Sequence, residues 1–376
     1  MRETEGATRG IAGRRSAAAI RCCRVVGVAF AMALLGISLW PIGAQAQTGP
    51  ATYQSSTPVA PTLLTTTTTN VQTAISARIK NIVRVRSLTN VASLPPGESG
   101  SAGGMSAGDE RLGLGVWLDG PWSHFEEDAD GAAFEGDSYS IIGGLDYMLT
   151  DRTLAGLTFT YSHSDTDTTF NGGNIKSDGY TIAPFAAYVF NRYVYADANF
   201  GFSWLDYDQE RTGRFNGTSF EPFSPPTRIR GGFDSTRWFA AANLNGVYTV
   251  GDVNLSAQLG YLFAHESQDE FMESDGTVVG RNRIDLGQVR AGGEAGYLFG
   301  FIEPYGTVQF EWDHLAEDVD VAIGEQPDNK DTGWRLGGGL RFYVDDWLSG
   351  GVEVTTVEGR GSLDGINASG NIRVGF

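Results

Sequence analysis

The chain has 376 residues, a formal net charge of −18, 51 glycines and 11% aromatics. Acidity of this size argues against a nucleic-acid partner, which needs a basic face for phosphates. The aromatic content argues against disorder throughout, and the longest apolar run falls short of the roughly 18 or more residues of a membrane helix.

Residues 1–46 read as an export signal. Arg9, Arg14, Arg15, Arg21 and Arg24 precede the apolar core VVGVAFAMALLGISLW, and Ala44-Gln45-Ala46 forms an A-x-A cleavage site. Cleavage there removes six Arg and two Glu, which shifts the remainder from −18 to −22. The two cysteines, Cys22 and Cys23, lie in the removed part, so the exported chain forms no disulfide and no thiolate metal site.

Residues 47–70 are rich in Thr, Pro and Ser and are expected to be a flexible or extended linker. From 71 to 94, Val71, Ile75, Ile79, Ile82 and Leu88 have helical spacing, and Arg78, Lys80, Arg84 and Arg86 make the segment basic. The Gly/Ser-rich stretch 95–110 is a connector. With a passenger of only about 24 residues between Ala46 and the helix, no domain is expected ahead of it.

From 111 to 376 the apolar period changes to two. In WRLGGGLRFYV, Trp334, Leu336, Leu340 and Phe342 alternate with Arg335, Arg341 and Tyr343. Five short connections (MLTDRTLAG, VFNRYVYAD, YTVGDVNLS, YLFGFIEPY and FYVDDWLSG) alternate with six long polar segments. Twelve strands follow: 111–125, 136–148, 153–167, 174–190, 192–210, 233–250, 252–266, 283–299, 301–315, 331–344, 347–358 and 364–376. An even strand count, short turns at one end and long loops at the other describe an all-β, twelve-stranded antiparallel transmembrane barrel. Two aromatic girdles fit this picture. One, near the short turns, includes Tyr147, Tyr188, Tyr193, Tyr195, Tyr248, Tyr297, Tyr343 and Trp347; the other includes Trp117, Trp122, Trp204, Trp238, Trp312 and Trp334. The last strand alternates to its final residue through Ile372, Val374 and Phe376, as a strand does when its apolar face meets lipid. That ending is similar to the signal read by the outer-membrane barrel assembly machinery.

VWLDG, APFAAYVF, EPYGTVQFEW, GGGLRFYV and the terminal NIRVGF, with the strand count and the preceding helix, resemble the translocator domain of autotransporters, the type V secretion proteins. The resemblance covers about residues 70–376. It implies a Gram-negative outer-membrane barrel with a helix threading its lumen, acting as a pore for translocation or surface display. The alternative is a passive porin-like channel or a structural or adhesive surface protein.

No catalytic, cofactor or metal site is expected. His124, His163, His265 and His314 fall at the outer ends of strands that are not neighbours, and the pairs Ser123-His124, Ser162-His163 and Asp313-His314 are chain neighbours that face apart on a strand. The loop 211–232 is basic through Arg211, Arg214, Arg228 and Arg230; a solvated loop is the expectation, with folding over the mouth or contact with anionic headgroups as the alternative. The residues expected to face the lumen include Asp119, Asp146, Arg335, Arg341, Glu353 and Arg373, and the basic helix complements them as a plug. The expected partners are outer-membrane lipid, lipopolysaccharide and the assembly machinery, with the barrel a monomer.

Overall fold

The computed structural model describes residues 54–91, 114–215, 218–316, 330–344 and 347–375, without the side chains of 85–91 and 215. Among the described residues one helix, α1 (Ser56–Val91), precedes sixteen strands. They are β1 (Leu114–Glu127), β2 (Phe134–Thr150), β3 (Thr153–Thr168), β4 (Gly173–Asn191), β5 (Val194–Arg211), β6 (Gly213–Phe215), β7 (Phe220–Pro222), β8 (Ile229–Val250), β9 (Val253–Gln268), β10 (Phe271–Met272), β11 (Val278–Val279), β12 (Asn282–Tyr297), β13 (Ile302–Ala316), β14 (Thr332–Val344), β15 (Leu348–Arg360) and β16 (Leu363–Gly375). Twelve of them close into one antiparallel barrel, while β6–β7 and β10–β11 are small hairpins in the long loops. Each expected strand is present, with ends shifted by no more than four residues.

Closure is the pairing of β1 with β16, from Gly115 opposite Gly375 to Glu127 opposite Leu363. It leaves no edge with unpaired backbone groups, which hydrocarbon would not tolerate. The tight turns have local causes. At Asn191 the side-chain Oδ1 accepts from the backbone N–H groups of Tyr193 and Val194, at 2.8 and 3.1 Å. Gly251 turns the chain between β8 and β9 with φ +58°, a conformation that disfavours any side chain.

The barrel is apolar outside and polar inside. Leu118, Ile141, Phe159 and Val352 are each at least half exposed, whereas Asp119, Ser140, Thr160 and Thr355 are buried. This is the alternation of strands whose outward face meets lipid. Trp117, Tyr195 and Tyr343, counted above with the girdles, are corrected here. Trp117 and Tyr195 are buried inside the barrel, and the Tyr343 hydroxyl donates to Glu303. Each sits on the inward parity of its strand, and parity overrides height.

The expected linker is also corrected from Ser56 onward, because α1 starts there and is described as far as Val91. Threonine is a poor helix former on its own. Here the surroundings override propensity, since Val59, Leu63, Leu64 and Thr67 to Asn70 are buried against the wall. The Thr65 and Thr67 hydroxyls donate to the carbonyls of Pro61 and Leu63 one turn back, at 3.0 and 2.6 Å. Pro58 lies in the first turn, where its missing N–H leaves no bond unmade. The expected signal 1–46, the rest of the linker that lies before Gln54, residues 92–94 of the expected helix, the connector 95–110, residues 111–113 of the first strand and the terminal Phe376 lie outside the described residues.

Among the described residues no helix is long and apolar enough to cross a membrane. The outward face of the strands does the crossing. Phe159→Arg, on the lipid-facing band of β3, is therefore expected to destabilise the folded barrel by about 2–4 kcal/mol. Urea titration of the protein refolded in vesicles measures this, with Ser164→Ala, facing inward, as the control.

Candidate functional site

The lumen holds α1. At its first turn, the Gln209 amide donates to Gln54 Oε1 at 2.7 Å and accepts from the Ser56 backbone N–H at 3.0 Å. The Ser55 hydroxyl lies 2.9 Å from that of Thr168. Gln209 and Thr168 are at the barrel end that carries the connection 212–228, so the helix N-terminus sits at the loop end of the barrel. The sequence leads one to expect long connections throughout that end, but β3 joins β4 through 169–172 and β15 joins β16 through 361–362. An apolar collar surrounds it, in which Val59 and Leu63 meet Phe125, Phe134, Ile175 and Tyr207. Above the collar, Phe271 of β10 stacks on Phe233 at 4.8 Å, which stacks on Tyr207 at 4.8 Å.

The middle of α1 is polar but uncharged, and the wall supplies the cations. Arg290 Nη2 donates to Thr69 at 2.8 Å, and its Nη1 to Gln72; Arg237 donates to Thr67 and pairs with Glu266 at 2.5 Å. Asn70 is held by Ser123 at 3.1 Å and Asn367 at 2.8 Å.

In the second half the signs reverse. Arg78 grips Asp146 with two bonds of 2.6 Å, both groups buried. Lys80 reaches Glu294 at 2.7 Å, and Arg84 bridges Glu294 and Glu303 at 3.0 Å each. Glu294 also takes a bidentate pair from Arg341, at 2.6 Å for each bond, so three cations converge on one carboxylate. Glu303 and Asp146 lie at the short-turn ends of β13 and β2. A buried charge with a missing partner is costly, so each of these contacts holds the helix firmly.

Of the residues expected in the lumen, the structure brings Arg78, Lys80, Arg84, Asp146 and Arg341 into this one network. Arg335 instead pairs with Glu311 at 3.0 Å, next to Arg360. Asp119 and Glu353 face the lumen beside this network without an ion pair to it, and Arg373 stands on the inward face of β16 beside Gly375. The Arg86 side chain lies outside the described residues, as does Phe376. Ile372 is exposed on the lipid face, and Val374 is on the same side. Sequence reasoning missed Glu294, Glu303, Arg290, Arg237 and Glu266. All are on the inward parity of their strands, so the alternation alone marks them as lumen residues, but nothing local says which partner each meets.

The histidines occupy the outward rim. His124 lies 3.2 Å from Asp137, His163 2.9 Å from Asp178, His265 2.7 Å from Asp285, and His314 2.9 Å from the Tyr261 hydroxyl. The basic loop is neutralised locally. Arg211 pairs with the buried Glu273 at 2.7 Å, and Arg228 with Glu210 at 3.0 Å. In the turn after β10, the Thr277 backbone N–H donates to Asp275 at 2.9 Å and holds that carboxyl below the usual carboxylate range.

An antiparallel barrel with a lipid-facing apolar band and an ion-paired helix through its lumen defines a bacterial outer-membrane β-barrel of the helix-filled kind. The family model "Autotransporter beta-domain" matches residues 116–355, and the chain belongs to that family. No match to a curated protein sequence was found. Among solved structures the chain is similar to the translocator domain of the autotransporter NalP from Neisseria meningitidis, with a TM-score of 0.59, 14% identity, 82% of this chain and 99% of that one covered. It is also similar to the β domain of the Bordetella autotransporter BrkA, with a TM-score of 0.57, 16% identity and coverage of 70% and 100%. At these identities the likeness concerns the fold.

The Arg84 contact is testable by a double-mutant cycle. Arg84→Met leaves Glu303 buried without its arginine and is expected to cost about 3–5 kcal/mol, whereas Arg84→Met with Glu303→Gln recovers most of that loss. Urea unfolding of the four proteins in the same detergent measures the coupling.

Proposed function

We propose that this barrel is a translocation and surface-display pore whose own helix α1 closes it after the preceding segment has crossed. The observation that carries the reading is the direction of α1. Its Ser56 end is held at the loop end of the barrel and its Arg84 end at the short-turn end. With short turns in the periplasm, as in outer-membrane barrels generally, the chain ahead of Gln54 reaches the cell surface. A helix of 36 residues is about 54 Å long, ample for the roughly 30 Å hydrocarbon core. The ion pairs to Asp146, Glu294 and Glu303 then act as a latch that keeps the pore plugged.

The remaining roles follow from the same reading. The mature chain starts after Ala46, once the signal is removed. Ile372, Val374 and Phe376 form the signal by which the assembly machinery inserts the barrel as a monomer into lipid and lipopolysaccharide. The barrel acts by holding and passing polypeptide, with no catalytic step.

Deleting residues 56–91 is expected to raise single-channel conductance in planar bilayers steeply over that of the full chain. An unchanged conductance would mean that α1 is only a tether and would favour the open-porin reading. Orientation has its own check: Val278→Cys is expected to react with an impermeant maleimide on intact cells, and Asp252→Cys only after lysis.

A further inference from the structure

The helix does not fill the lumen evenly. Its backbone leans on β1–β5, β8, β9 and β12. Towards β14–β16 several inward residues between the long ones are short, among them Gly337, Gly339, Gly351, Ser369 and Asn371. A cavity of about 120 Å³ remains on that side, bounded by Thr73 and Ala77 of α1 and by Asp119, Glu353, Ser369 and Asn371 of the wall. Lys80, Arg335 and Arg341 line it too, but each is already paired, with Glu294 or Glu311. That is room for several waters. A second cavity of about 160 Å³ lies nearer the loop end, between Thr62 and Thr66 of α1 and Arg360 and Asp364 of the wall. The two share Thr69, Asn70, Arg335 and Asn367 in their walls, so they run on from one another along the helix. Asn367 and Asn70, joined by a hydrogen bond of 2.8 Å, belong to the wall of both.

Asp119 is the group in this space that lacks an explanation. It is 5% exposed, lines the cavity and has no hydrogen-bond or ion-pair partner among the described residues. The charge acting on it is another carboxylate, Glu353, whose own partner is the Tyr305 hydroxyl at 2.6 Å. The two carboxylates flank β16, Asp119 opposite Asn371 and Glu353 opposite Ser369. By contrast, Asp146, Glu294, Glu303 and Glu311 each have an arginine. A carboxylate taken out of bulk water with only another carboxylate for company is unfavourable unless a cation joins them. Beside the two carboxylates, the Asn371 amide and the Ser369 hydroxyl of the same wall offer oxygen donors. Oxygen donors suit hard, partly hydrated cations.

We propose that Asp119 and Glu353 form a cation station in a water-filled path beside α1, and that the plugged barrel passes small hard cations in preference to anions. Rings and pairs of carboxylates select for cations in pores by this same electrostatic means. The proposal rests on the reading of α1 as the plug. The path is bounded on one side by the helix and on the other by the small residues of β14–β16, so it exists only while the helix is seated. It admits ions and water but no polypeptide.

The test is the reversal potential of the full chain in a planar bilayer under a KCl gradient. The potassium-to-chloride permeability ratio is expected to be several-fold in the intact protein and about one in Asp119→Asn with Glu353→Gln. Asn371→Asp, which adds a third carboxylate, is expected to raise it. The heat-dependent gel shift of each variant confirms that it has folded. A silent, unselective or anion-selective wild type overturns the proposal, as does a double variant with unchanged selectivity. The 56–91 deletion separates this from the plug reading. If the deletion raises conductance steeply while the intact barrel shows no cation preference, only the station falls. If the deletion changes nothing, the plug itself is wrong.

Discussion

Hydrocarbon offers no partner for a backbone N–H or C=O, and from that constraint the rest of this structure follows. The strands must pair all the way round, so β1 meets β16 along almost its whole length. Once closed, the sheet has one face for lipid and one for the lumen. The alternation of each strand then puts Leu118, Phe159 and Val352 outside and Asp146, Glu294 and Glu303 inside. A twelve-stranded barrel is too wide for its own side chains to fill. The interior must therefore be filled with water or with another segment of chain.

Here the chain supplies that segment, and electrostatics decides how it sits. The loop-end half of the lumen wall carries Arg237 and Arg290 and meets threonine, asparagine and glutamine on α1. The short-turn half carries Asp146, Glu294 and Glu303 and meets Arg78, Lys80 and Arg84. Reversing or sliding the helix would leave buried charges facing the wrong partners, which is far more costly than losing an exposed ion pair. Direction and register of the plug are thus set by charge, while the collar of Val59, Leu63, Phe125, Phe134 and Tyr207 makes an apolar seal at the loop end. The same sorting of partners leaves Asp119 and Glu353 without an ion pair, on the side where Gly337, Gly339, Gly351 and Ser369 leave space in the wall.

What the sequence determined by itself was the barrel. Twelve strands, their near-correct ends, the closing role of the last one and the lipid-facing parity were legible because a period of two is a local pattern, repeated in each strand and punctuated by turns such as Asn191–Val194. The cationic residues of the helix and several lumen acids were legible for the same reason. The tertiary structure decided three other matters. It made a helix of the threonine-rich run after Ser55, which propensity alone reads as a linker, because the wall buries it. It turned Trp117, Tyr195 and Tyr343 inward, because side-chain direction follows strand parity rather than aromatic character. And it chose the partners: Arg78 with Asp146, Arg84 with Glu303, and none for Asp119. Those pairs join residues up to 219 positions apart, and only closing the barrel around the helix brings them within reach of each other.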